Sequence, residues 1–120
     1  VPSGNLGNVT AAAFARQMGL PIRTLLAPTN LNDTLSRYLE TGIYSYAPSR
    51  ESIASAMDVG DPSNFPRLIH ALGPDISILR SESFGDEQIR NTITSVYRRF
   101  GYILDPHTAV GYLGAERGDP

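Results

Sequence analysis

Residues 3–8, Ser-Gly-Asn-Leu-Gly-Asn, set two Gly-Asn pairs directly before an alanine-rich segment, and no other stretch of the sequence is better suited to chemistry. Glycine lets a backbone N–H approach a ligand where a side chain would stand in the way, and consecutive N–H groups turned inward form a concave nest for an anion. A helix that starts straight afterwards adds unpaired N–H groups and a partial positive charge. Gly4, Asn5, Leu6, Gly7 and Asn8 are therefore the candidate anion cradle, with the amides of Asn5 and Asn8 and the hydroxyl of Thr10 as further donors. Plain turn formation at the entry to a helix uses the same residues, and residue types alone leave that alternative open. Neither the Gly-Lys-Ser/Thr of a P-loop nor the G-x-G-x-x-G of a dinucleotide fold is present.

Other reactive groups are few. Cysteine is absent, which removes thiol nucleophiles and disulfides, and with only His70 and His107 to draw on no metal site is expected. All 10 basic residues are arginine, so no side-chain amine is available for covalent chemistry, which limits any catalytic assignment. Ser63, Asp61 and His107 supply the residue types of a triad, but no G-x-S-x-G elbow accompanies them. His107, beside Pro106, reads as a capping or packing residue and His70 as one at the edge of the core. Asp86 and Glu87 suit a helix dipole. Asn30, Asn32 and Asp33 read as turn and cap residues, with a ligand contact as the alternative. The Asn-x-Thr matches at Asn8 and Asn32 are read as chance, because no secretory segment is seen.

These residues need elements to hold them. Alanine spacing predicts a helix over 8–19, with Val9, Ala12, Ala13 and Met18 on one face and Gly19 and Pro21 as stops. The apolar run 22–29 fits a buried strand of a parallel sheet. A helix over 32–42 is capped by Asn32 or Asp33 and ended by Gly42. Short helices are expected over 52–57 and 62–73, the second with Pro62 at its first position, and 74–85 reads as loop with one helical turn. The stripe Ile89, Ile93, Val96, Tyr97 and Phe100 predicts a helix over 86–101. Residues 102–104 suggest a strand, and Asp105 with Pro106 begins a helix over 105–117. The fold class expected is α/β: three layers, with a small, mainly parallel sheet and flanking helices.

At 120 residues and 41% hydrophobic, the chain is expected to be one domain with a single modest core. A net charge of −2, without a basic run, gives no footprint for nucleic acid, and no apolar stretch approaches the roughly 20 residues of a membrane span. Opening on a turn and closing on Gly-Asp-Pro after a helix, where a further strand is expected, the chain reads as an internal fragment.

The stretches "PSGNLGNVTAAAFARQMGLPI", "NLNDTLSRYLETG", "SAMDVGDPSNFPRL" and "GYILDPHTAVGYL", in this order and at these separations, resemble the threonine synthase family, pyridoxal-phosphate enzymes of the fold-type II group. The resemblance covers more than half of the chain. It implies a parent lyase that converts O-phospho-L-homoserine and water to L-threonine and phosphate in amino-acid biosynthesis, in the cytoplasm. It also implies that Gly4, Asn5, Leu6, Gly7 and Asn8 hold the phosphate of pyridoxal 5'-phosphate. The family's Schiff-base lysine has no counterpart here, so the chain reads as the cofactor-phosphate part of a larger enzyme and as inactive alone. Its expected partners are the remainder of the same polypeptide and, through a cut sheet edge, other copies of itself. Two alternatives stand beside this reading: another β- or γ-eliminating fold-type II enzyme, and a non-enzymatic α/β module that binds a phosphorylated metabolite.

Overall fold

The computed structural model describes residues 1–118; the end of the chain, residues 119–120, where the sequence leads to the expectation of a further strand, lies outside them. Apolar spacing and end signals set the helices. Helix α1 (Gly7–Gln17) buries Val9, Thr10 and Ala13, while Met18, expected on that face, caps the helix and is exposed. Helix α2 (Thr34–Thr41) buries Leu35 and closes on Gly42, whose φ of 73° suits glycine. Asp33 stands at its N-cap without a side-chain cap bond. Helix α3 (Phe65–Leu72) turns Phe65, Leu68, Ala71 and Leu72 inward. It starts later than expected, with Pro66 rather than Pro62 in its first turn, and Phe65 N–H donates to the Pro62 carbonyl. Of the short helix expected over 52–57, only a 3-10 turn at Ser55–Met57 forms.

Helix α4 (Asp86–Phe100) has Asp86 and Glu87 in its first turn, Arg98 and Arg99 in its last and Gly101 as its cap, an arrangement that complements the helix dipole. Ile89 and Val96 are buried, but Tyr97 and Phe100 are exposed, so the apolar stripe is wider than the face that packs. Helix α5 (Pro106–Gly118) begins at Pro106 as expected and buries Ala109, Val110, Leu113 and Gly114.

The sheet is parallel and short. Strand β1 (Leu25–Leu26) pairs with β2 (Leu79–Arg80) in the register Leu25 to Leu79 and Leu26 to Arg80, and a single bridge from Thr29 to Ser83 continues the pairing. Two expectations are corrected here. The second strand, preceded by a 3-10 stretch at Gly73–Ile78, comes from the segment read as loop. Residues 102–104 form no strand: Tyr102 and Ile103 are exposed and only Leu104 is buried.

Two apolar clusters form, where a single core was expected. Leu25 and Ala27 join Leu6, Val9, Leu35, Leu68 and Leu79 in a core with α1, α2 and α3. On the other side Met57, Phe84, Ile89, Val110 and Leu113 form a core with α4 and α5. Helix α5 comes close because Gly114 faces Pro28: a Cβ there would fall 2.6 Å from Pro28 Cγ. The result is the expected three-layer α/β arrangement, with the N-terminal loop at the start of α1. Among the described residues no helix is long and apolar enough to cross a membrane, and no group of three or more potential ligands could hold a metal ion.

Candidate functional site

Leu6 determines how the loop enters α1. It is 2% exposed, packed in the first core, and its φ of 63° and ψ of 15° lie in the left-handed region. A non-glycine residue there carries strain of about 1–2 kcal/mol, which burial of the leucine side chain offsets at roughly 1.5–3 kcal/mol. A left-handed residue followed by a right-handed one turns successive N–H groups toward the same side, which is nest geometry. The first intrahelical bond runs from Thr10 N–H to the Leu6 carbonyl. Among the described residues, the six consecutive N–H groups from Gly4 to Val9 find no acceptor, whereas Ser3 N–H, just before them, bonds Pro28 at 2.9 Å.

The two glycines are small for different reasons. A Cβ on Gly4 would fall 2.7 Å from Met57 Cα and 3.3 Å from the Ala56 carbonyl, so Gly4 is required by the packing of the loop on the Ser55–Met57 turn. A Cβ on Gly7 would meet only Asn64 Nδ2, at an ordinary 3.6 Å, and the φ of Gly7 is not positive. Nothing in the described chain demands glycine at position 7. An anion drawn close to its N–H would.

A cavity of about 350 Å³ opens here, lined by the loop from Pro2 to Asn8 and by Ala56, Met57 and His107. The structure reassigns two of the three extra donors. Asn5 Oδ1 accepts from Ser63 N–H at 2.6 Å and its Nδ2 donates to Ser63 Oγ at 2.9 Å, so this side chain ties the loop to the approach to α3. Thr10 is buried with its hydroxyl on the Leu6 carbonyl at 2.6 Å. Asn8 is exposed at the mouth and is the donor of the three that remains available.

Sequence reading did not place Ala56, Met57 or His107 at this site. Ala56 N–H donates to His107 Nε2 at 3.1 Å, so Nε2 carries no proton and Nδ1–H faces Asp105 Oδ1 at 3.1 Å. Hydrogen bonds from Thr108 above all, then from His107, hold the Asp105 carboxyl at a pKa of about 2. Asp105 caps α5 as expected, taking Thr108 N–H at 3.2 Å.

The triad types do not assemble. Asp61 accepts from Tyr44 Oη, Ser63 pairs with Asn5, and His107 pairs with Ala56 and Asp105. His70 is exposed rather than at the core edge. Asn30 is fully buried, and its amide donates to Ser52 Oγ (2.8 Å), Asp58 Oδ1 (2.7 Å) and the Ala54 carbonyl (3.2 Å). Its Oδ1 accepts from the backbone and side-chain N–H of Asn32, both at 3.0 Å, and Asn32 holds the backbone of Arg50 through both of its amide atoms. Asp33 pairs with Arg37 at 2.9 Å. This asparagine network pins the loop that carries the Ser55–Met57 turn. Asp86, beyond its place at the helix start, accepts from Ile53 N–H at 3.1 Å.

Comparison with known proteins places the chain in a family. The family model described as pyridoxal-phosphate dependent enzyme matches residues 1–119. The chain is 39% identical over 115 residues to the threonine synthase of Haemophilus influenzae, an alignment that takes in 93% of this chain and 27% of that protein. The corresponding protein of Escherichia coli is 36% identical, with the same coverage. Its crystal structure superposes with a TM-score of 0.91 over 97% of this chain and 28% of that one, at 34% identity. A pyridoxal-phosphate-bound threonine synthase from Brucella melitensis gives 0.91 over the whole of this chain and 32% of that one, at 31% identity. The chain thus spans about a quarter of the length of the curated relatives it matches.

Proposed function

The chain belongs to the pyridoxal-phosphate dependent enzyme family, and from that premise we propose that it is the cofactor-phosphate-holding part of a threonine synthase. The observation that carries this reading is the run of unpaired N–H groups from Gly4 to Val9 around a glycine, Gly7, that the chain's own packing does not require. Backbone N–H groups of Gly4, Asn5, Leu6, Gly7 and Asn8 hold the phosphate of pyridoxal 5'-phosphate, the Asn8 amide adds a side-chain donor, and the dipole of α1 favours the negative charge. When bound, the cofactor supplies an electron sink for the carbon next to a substrate amino group. The task of these residues is to anchor and orient it.

The parent reaction is the conversion of O-phospho-L-homoserine and water to L-threonine and phosphate, in the cytoplasm. The sequence has no lysine, so the amine that binds the cofactor's aldehyde lies outside these residues, in the remainder of the same polypeptide. Taken alone, the 120 residues form one domain that is inactive. The isolated chain self-associates through the open edges of its two-stranded sheet, and a monomeric mass in light scattering would count against that.

Equilibrium dialysis of pyridoxal phosphate against the full polypeptide tests the reading. Gly7→Val is expected to weaken binding at least roughly tenfold, by filling the position where an anion approaches. Unchanged binding sinks the proposal. The isolated chain, reduced with borohydride after exposure to the cofactor, is expected to gain no mass.

A further inference from the structure

We infer that His107 is a positioning residue for the anion cradle, acting on Gly4 through the Ser55–Met57 turn; the inference rests on the phosphate-holding reading above. Among the residues that line the cavity, His107 has the one titratable side chain, and neither of its ring nitrogens is free to serve an anion. Nε2 accepts from Ala56 N–H and Nδ1–H is engaged by Asp105, both at 3.1 Å. Asp105 is itself fixed as the cap of α5 by the N–H groups of His107 and Thr108, at 2.9 and 3.2 Å, so the ring is oriented by the first turn of that helix. A cap that also holds an imidazole in one tautomer makes the other nitrogen a dedicated acceptor.

What that acceptor holds is the backbone against which Gly4 is packed. The Ala56 carbonyl and Met57 Cα lie so close to Gly4 that a methyl group could not enter. A displacement of the turn is therefore a displacement of the loop. Two contacts lead from α5 to the first glycine of the cradle, imidazole to Ala56 N–H and the Ala56–Met57 backbone to Gly4, beside the packing of Gly111 of α5 on Pro2. Asn5 and Ser63 hold the loop from a different direction. With these attachments and the Ser3 to Pro28 bond in place, the consecutive N–H groups keep one common direction, as a preorganised anion site requires.

His107→Gln and His107→Phe separate this role from ordinary packing. Glutamine Oε1 stands where Nε2 stood and can accept from Ala56 N–H, whereas phenylalanine keeps the ring without the acceptor. In the full polypeptide that carries these residues, the dissociation constants of pyridoxal phosphate and of inorganic phosphate are measured by equilibrium dialysis. The amide signal of Ala56 is followed in parallel by ¹⁵N-alanine labelling. His107→Phe is expected to weaken both ligands roughly tenfold and to shift the Ala56 amide, while His107→Gln stays within about twofold of wild type on the same scale. Wild-type affinity in the Phe variant overturns the inference, and so does an equal loss in both variants, which would make the acceptor irrelevant. If the wild-type protein binds neither ligand, it is the cradle reading that fails, and the inference falls with it.

Discussion

Two asparagine-rich turns in this chain, one around Asn5 and Asn8 and the other around Asn30 and Asn32, use the same residue type to opposite ends. The second is saturated: every amide atom of Asn30 and Asn32 is engaged, Asn30 is fully buried, and the partners are Ser52, Ala54, Asp58 and Arg50 of one loop. The first leaves six consecutive backbone N–H groups unmatched among the described residues, and one of its asparagines is taken up by Ser63. Buried polar groups without partners are expensive, so folded chains match them almost everywhere. The two turns differ in hydrogen-bonding capacity left unmet, not in residue type.

The contrast is most strongly tested at its saturated end. Replacing Asn30 with Ala strips partners from the Asp58 carboxylate, the Ala54 carbonyl and Asn32 N–H at once, with an expected loss of about 3–4 kcal/mol of stability in urea unfolding. A loss below about 1 kcal/mol would show that water replaces the network and would dissolve the distinction. Gly4→Ala comes next. Its methyl meets backbone rather than a yielding side chain, with an expected loss of about 1–3 kcal/mol together with weaker phosphate binding. Gly7→Ala is its counterpart. Stability should stay within about 0.5 kcal/mol of wild type, while pyridoxal phosphate binding, read by dialysis, falls severalfold. Equal destabilisation by the two alanines would mean that packing, not a ligand, keeps both glycines.

The smallest effect concerns Asp105. Its folded pKa, depressed from the usual 3.8 to about 2 by the Thr108 and His107 hydrogen bonds, makes its contribution complete above 3.8 and progressively lost as the pH falls toward 2. Melting curves of wild type and Asp105→Asn should therefore converge over that interval. A gap that stays constant to below pH 2 would show that the charge plays no part.

The sequence conveyed the helices of this fold well, because their signals are local. Gly42 and Gly101 stop α2 and α4 where the chain turns left-handed, and Pro106 begins α5 beside an aspartate cap. The strands were harder to read. A pair of two-residue strands offers no alternation to see, and whether Leu79 is strand or loop depends on a partner, Leu25, far away in the sequence. Tyr102 and Ile103 have strand-forming side chains but no neighbouring strand to pair with among the described residues. The site divides in the same way. Gly4 to Asn8 is a contiguous motif that reads locally as a candidate cradle, although the residue types serve a plain turn equally well. The engagement of Asn5 by Ser63 and of Ala56 by His107 joins residues 58 and 51 positions apart, and no local pattern encodes either contact.

Those separations bear on when the cradle comes into being. The signals that set helix α1 are local, but the loop ahead of it takes its final shape only with the segment carrying Ser63 and the start of α5 docked. Contacts of such long range form late in folding, because loop closure is unfavourable until other contacts support it. Residues 3–8 are synthesised before His107, so on the proposed reading the loop cannot be held in its final shape until the start of α5 has docked.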